Sequence, residues 1–426
     1  MAKPLTIVVA TDFRIDGTGY QTIAGGICQA LSEYGCKVIV VGTGYDGRQH
    51  DYTFQVIPSH YSWLPQQSCH VSYAVKADWL LLMMDVPKVI AILRNMHKQV
   101  DDRLLPGVFE LTKVCAAFPV ESYPLKGLWA ESLKKYTACR FTFTEFGVRT
   151  LRNAGVASHK LTVGVDKFWY EKYETPTELI PEILAKHAPY VITVAYNAFR
   201  KNLVETMQVV KSSIEDGTIH SYVLVTDIGG ADGWDLVDAA KDIGFPIERL
   251  CLVGQGISRV ALKALYDNAE AMILLSLAEG IGLPVYEAQA RGVPVVAPRH
   301  TGVEEVLLDD MLVVKVRDKF LYPWGNVYWH WPDLEDAKKK LGFAITFRKQ
   351  KSIMRYPGWD KAASEMSSTL QAFERLVDEQ AIAESAGDSV QEEEQVGGGY
   401  RDTGVRAAGI SENDVRESVE HESRPV

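Results

Sequence analysis

No two aspartates in these 426 residues stand one residue apart. The D-x-D pair that often holds a divalent cation on a diphosphate is therefore missing. No two of the six cysteines have C-x-x-C spacing, which removes the sequence signal for a zinc site or a thioredoxin-like motif. Cys28, Cys36, Cys69, Cys115, Cys139 and Cys251 read instead as free, buried thiols of a reducing cytosol. Long apolar runs are missing too. Trp79–Met84 and Ala271–Ser276 are strand-length, far below the roughly 20 residues of a membrane-spanning helix. The start, MAKPLTIVVATDF, carries one lysine and an apolar run broken by Asp12, too short and too weakly charged for a secretory signal. Positive charge is in deficit: 45 Lys and Arg against 55 Asp and Glu leave −10, which argues against a surface that coats nucleic acid. The expectation is a cytoplasmic protein with no membrane span and no nucleic-acid partner.

What is present is apolar material for large cores, 47% of the chain, at a length that suits two or three domains. Leu5–Ala10 (LTIVVA) is a β-branched run typical of a strand buried on both faces. A glycine-bearing loop, Asp12–Tyr20, follows it. Apolar residues at helical spacing over Thr22–Tyr34, a stop at Gly35 and a second strand at Lys37–Val41 complete a βαβ unit. Further strands are expected at Trp79–Met84, Lys113–Phe118 and Arg140–Thr144, and a helix at Phe146–Ala154. Three prolines between Pro176 and Pro189 mark the approach to a second domain, which Tyr190–Ala195 opens with another buried strand. Helix and strand then alternate as far as Val293–Ala297, the pattern of a parallel sheet covered on both faces. Two such halves suggest an α/β chain with a ligand cleft between two Rossmann-like domains. A literal G-x-G-x-x-G at Gly42–Gly47 is rejected as a dinucleotide fingerprint, because RQHDYTF after it carries no helical stripe. Residues 381–426 hold 11 acids against 4 arginines and few large apolar groups, and read as a disordered acidic tail.

The densest chemical signal is Leu275–Ala297, LSLAEGIGLPVYEAQARGVPVVA. A buried strand ends near Leu277, a glycine loop follows, and Pro284 opens a helix at its first position, where its missing N–H costs nothing. Gly280 and Gly282 allow close backbone approach to a ligand. The helix start, with Leu283 and Pro284, forms an anion site suited to a diphosphate. Glu279 precedes this helix, and Glu287 lies about one turn inside it. A carboxylate at that cleft mouth accepts hydrogen bonds from a sugar or ribose diol.

This block resembles the E-x7-E segment of retaining GT-B glycosyltransferases, in particular glycosyltransferase family 4, with Glu279 and Glu287 as the two acids. The resemblance implies that Glu279 contacts the donor sugar, that Glu287 holds the nucleotide ribose, and that Gly280, Gly282, Leu283 and Pro284 meet phosphates and sugar. Tyr190–Leu203 (YVITVAYNAFRKNL) looks like the strand and loop opening the family's donor domain. Lys201 falls at the family's diphosphate-neutralising lysine, with Arg200 beside it, while Tyr196-Asn197 stands where an arginine is common. Leu250–Ala271 resembles the helix lining the base pocket, placing the base near Gly254–Ile257. Gly164-Val165-Asp166, Thr301–Leu307 and Trp359-Asp360 are similar to further family segments, with Thr301 in place of a glycine. Gly17 and Gly19 resemble the glycine loop facing the donor phosphates. Phe118–Glu121 ends a strand at the presumed cleft, where Glu121 or Asp85 is placed to touch the acceptor hydroxyl.

The chain reads as four segments, the first three as the resemblance implies and the tail from its composition. Residues 1–175 form an acceptor-binding Rossmann-like domain and 186–350 a donor-binding one. Residues 351–380 form a helix crossing back to the first domain, and 381–426 the tail. The activity implied is transfer of a sugar from a nucleotide-sugar donor to a carbohydrate, lipid-linked or other hydroxyl acceptor. Retention is expected, with no cofactor and no metal, because Lys201 and the helix terminus supply the neutralising charge. A phosphorylase, a nucleotide-sugar epimerase and a non-catalytic nucleotide-sugar binding protein share the architecture and stay open as alternatives.

Overall fold

The computed structural model describes residues 4–391 except 15–16, 18, 103–107, 174–178, 229–232, 255, 324 and 347–352. Its first half is a parallel sheet of β1 (Thr6–Asp12), β2 (Lys37–Thr43), β3 (Gln55–Ser59), β4 (Trp79–Met83), β5 (Lys113–Ala117), β6 (Cys139–Thr142) and β7 (His159–Lys160), in the order β3-β2-β1-β4-β5-β6-β7. The helices between them are α1 (Gly19–Glu33), α2 (Leu64–Val75), α3 (Val86–Asp101), α4 (Gly127–Tyr136) and α5 (Glu145–Asn153). Every residue of WLLLM in β4 is buried, because β1 and β5 flank it and helices cover both faces. The GTGYDG segment begins as the last two residues of β2 and continues as a loop rather than a helix, and the next element is the edge strand β3.

The second half repeats the plan. α6 (Leu179–His187) leads into β8 (Tyr190–Val194), and α7 (Leu203–Glu215), β9 (Ser221–Thr226), α8 (Leu236–Asp242), β10 (Leu250–Gly254), α9 (Arg259–Asn268), β11 (Ala269–Ile273), α10 (Leu283–Ala290), β12 (Val295–Pro298) and β13 (Val313–Val314) follow. The sheet order is β10-β9-β8-β11-β12-β13. Pro284 is the second helical residue of α10 rather than the first expected, because Gly282 caps the helix in the left-handed region and Leu283 begins it. A feature absent from the sequence reading comes next: a hairpin of β14 (Val316–Tyr322) and β15 (Val327–Pro332), before α11 (Leu334–Thr346).

Strand order reverses between β1 and β4 in one sheet and between β8 and β11 in the other. In open parallel sheets, ligands bind beyond the carboxyl ends of strands at such a point. Both sheets belong to one compact unit, Met1–Ser367. Polar and apolar ties explain this. Glu305 accepts from the Phe146 N–H and from Lys160 Nζ, each at 2.9 Å. α12 (Trp359–Gln391) begins at the expected Trp-Asp but runs eleven residues into the segment read as a tail; residues 392–426 lie outside the described residues. The Trp359 ring packs where a Cβ on Gly26 would come within 2.3 Å and one on Gly164 within 2.6 Å.

Candidate active site

The chain leaves β8 through Ala195–Asn202 and leaves β11 through Leu274–Gly282, so the switch point of the second sheet brings two loops together. The Leu277 N–H donates to the Arg200 carbonyl at 2.8 Å, and Arg200 Nη1 donates to the Ala278 carbonyl at 2.6 Å. Lys201 Nζ thereby lies 2.5 Å from Glu279 Oε1, and Arg200 Nη1 lies 3.3 Å from Glu279 Oε2. Glu279 is 4% exposed. Burial by itself raises a carboxyl's pKa, but Lys201 and Arg200 outweigh it and hold Glu279 at about 2. Its backbone is fixed as firmly: the N–H donates to Thr301 Oγ1 at 2.9 Å, and the carbonyl accepts from the Gly302 N–H at 2.7 Å.

The first sheet reaches the same place. Beyond β5, Glu121 Oε1 pairs with Arg200 Nη2 at 2.9 Å. Burial raises the Glu121 pKa against the pull of Arg200, and Asp85 and Glu279 raise it further. A Cβ on Gly280 would lie 2.5 Å from the Pro119 side chain, so only glycine lets this loop meet the Pro119–Glu121 segment. Beyond β4, Asp85 accepts from the Tyr20 hydroxyl, and Lys88 Nζ lies 3.4 Å from its other oxygen. A Cβ on Gly19 would be 3.8 Å from Leu283, which places the start of α1 beside the start of α10. Gly17 has φ +93°, with nothing near a Cβ placed there.

Glu287 lies one turn into α10, half-buried in a cleft shared with Thr22, Asp166, Leu283 and Tyr286. Burial lifts its carboxyl to about 7, against the weaker pull of Arg259 and a 3.3 Å hydrogen bond donated by the Tyr266 hydroxyl. Gly254 ends β10 next to Ile228, and Ile257 packs on the second core just ahead of Arg259. Among the described residues no three of His, Cys, Asp and Glu gather as a metal-ligand set.

The structure thus brings Glu279, Lys201, Arg200, Glu121 and Gly280 into direct contact and sets Gly282, Leu283, Pro284, Gly19 and Glu287 along the adjoining helix start. Sequence reasoning missed Tyr20, His300 and the β14–β15 hairpin. His300 Nε2 donates to the Ser276 carbonyl at 2.8 Å, and its Nδ1 is 3.1 Å from the hydroxyl of Thr301 that holds Glu279. The alternating aromatics of VRDKFLYPWGNVYWHWP, broken by Gly325-Asn326, are a legible hairpin signal.

Residues 181–319 match the model of the family Glycosyl transferases group 1. Sucrose-phosphate synthase from Thermosynechococcus elongatus superposes with a TM-score of 0.60 at 13% identity, over 89% of this chain and 99% of that one. The Anabaena protein HepE, solved with UDP-glucose, superposes at 0.61 and 12% identity, over 86% and 100% of the two chains. The fold is GT-B. By sequence, a D-inositol 3-phosphate glycosyltransferase of Pseudarthrobacter chlorophenolicus is 28% identical over 117 residues, 28% of this chain; the match spans about a quarter (26%) of that relative's length. The matched segment contains Arg200, Lys201, Glu279 and Glu287 and stops inside β14, so β15 lies beyond it. No helix among the described residues is long and apolar enough to cross a membrane.

Proposed function

We propose that this chain moves a sugar from a nucleotide-sugar donor to an acceptor hydroxyl, with retention at the anomeric carbon and without a metal ion. The observation that carries this reading is the Lys201–Glu279–Arg200–Glu121 group at the switch point, beside the Gly282-capped start of α10. Lys201 and Arg200 take the donor diphosphate and stabilise the charge that grows on it as the sugar leaves, the kind of preorganised electrostatics that dominates such chemistry. Glu279 bonds to hydroxyls of the donor sugar, and Glu287 to the ribose diol. Glu121 orients the acceptor from the first sheet. The anomeric carbon–phosphate oxygen bond breaks as the acceptor oxygen bonds on the same face, and the acceptor proton passes to the leaving phosphate. The close meeting of Gly280 with Pro119 excludes water and limits donor hydrolysis.

A screen of UDP-, GDP- and ADP-sugars tests this, reading released nucleotide and thermal stabilisation for the wild type, Lys201→Ala and Glu287→Ala. One donor that stabilises the wild type and neither variant is the expected outcome. Turnover that needs inorganic phosphate would point to a phosphorylase, and stable binding with no turnover on any acceptor to a sensor. No binding of any nucleotide sugar overturns the reading.

A further inference from the structure

The β14–β15 hairpin is fastened to all three arms of the charged group. The His330 N–H donates to the Leu277 carbonyl at 2.9 Å, two residues before Glu279. The Tyr328 N–H donates to the Tyr123 carbonyl at 2.6 Å, two residues after Glu121. The ring of Phe199, directly before Arg200, lies 6.1 Å from Trp329 and 6.4 Å from Trp331. Inside the hairpin, Tyr322 stacks on Trp329 at 3.7 Å and Phe320 on Trp331 at 4.9 Å, which leaves Trp329 8% exposed. At its outer end the cluster is open. Phe199 and Trp234 are 41% and 42% exposed, with ring centroids 6.4 Å apart. Trp234 is not loose: the Asn197 side chain bonds its carbonyl at 2.8 Å and its N–H at 3.0 Å.

Two large half-bare rings, one of them directly before Arg200 in the chain and the other on a pinned backbone, form a binding surface rather than a core edge. A sugar ring matches that surface: its C–H face packs on an aromatic ring while its hydroxyls reach charged groups. A lipid chain needs a continuous apolar groove, whereas Phe199 lies directly before the charged Arg200 and Lys201. We infer that Phe199, braced by the hairpin, and Trp234 beside it stack on a pyranose ring of a saccharide acceptor. The word acceptor rests on the transferase reading; the ring contact does not.

The test titrates the full chain with glucose, galactose, mannose, N-acetylglucosamine, maltose and cellobiose, each with and without saturating UDP, GDP or ADP. Calorimetry reads Phe199→Ala and Trp234→Ala beside Phe199→Tyr and Trp234→Phe, after thermal melts confirm folding. The expected result is a saccharide whose affinity falls roughly tenfold in the alanine variants, the scale of one aromatic contact. The conservative variants restore it, and UDP affinity holds throughout. The inference is overturned if no saccharide binds, if the alanine variants bind it unchanged, or if they lose UDP equally, since the rings then serve the nucleotide. If saccharide binding depends on both rings but none of UDP, GDP and ADP binds, the ring contact stands and the donor reading falls.

Discussion

Replacing Glu279 with Gln keeps the side chain's shape and removes the buried charge from a group of four. The Glu279 carboxyl falls from its usual 4.5 to about 2; at about 1.4 kcal/mol per tenfold change, this is roughly 3 kcal/mol of stability at neutral pH. For a compact unit of 367 residues, an unfolding entropy of about 0.8 kcal/mol/K turns that into a melting temperature lower by ~4 °C. The sign sets the pH range. A carboxyl with a depressed pKa stabilises above its unfolded value, so the gap between wild type and variant is full above pH 4.5 and closes as pH falls toward 2. Anion binding moves the other way. Without the Glu279 carboxylate, Lys201 faces the diphosphate unpaired and Arg200 keeps only Glu121. A repulsion of about 3 kcal/mol, for like charges ~6 Å apart at an effective dielectric near 20, is relieved. Inorganic diphosphate therefore binds the variant at least tenfold more tightly by calorimetry, while sugar transfer is lost. Weaker diphosphate binding, or an unchanged melting temperature at pH 7, would refute the claim that Glu279 holds these cations in reserve.

Three further outcomes follow from the same geometry. A ribose diol donates hydrogen bonds to an ionised Glu287, whose carboxyl sits at about 7, so nucleotide affinity rises as pH increases through 7; in Glu287→Gln a calorimetric pH series is flat. Thr301→Val removes the oxygen that accepts the buried Glu279 N–H, costing about 1–3 kcal/mol of stability in chemical denaturation; Thr301→Ser retains most of it. Gly164→Ala drives a methyl into the Trp359 ring and backbone at 2.6 Å, which destabilises the protein by about 1–3 kcal/mol and lowers its melting temperature. An unshifted melt would show that the start of α12 yields without cost.

Strands buried on both faces carry their own signature, and for that reason YVITV and WLLLM were legible as sheet interior from composition alone. The edge strand β3 was not, since QVIPS is only partly covered and holds a proline. Glu279, Lys201 and Glu287 were legible because they lie in runs where glycine, proline and acid keep a local register. Local register carries no information about distance across the chain. That Lys201 meets Glu279 is decided by β8 and β11 pairing as neighbours at the reversal of strand order, 78 residues apart in the chain. That Glu121 meets Arg200 is decided by the packing of one sheet's loops on the other's. The charges of the site are thus written in the sequence. Their pKa values, and the aromatic hairpin braced against them, exist only once burial and long-range pairing bring those residues out of water together.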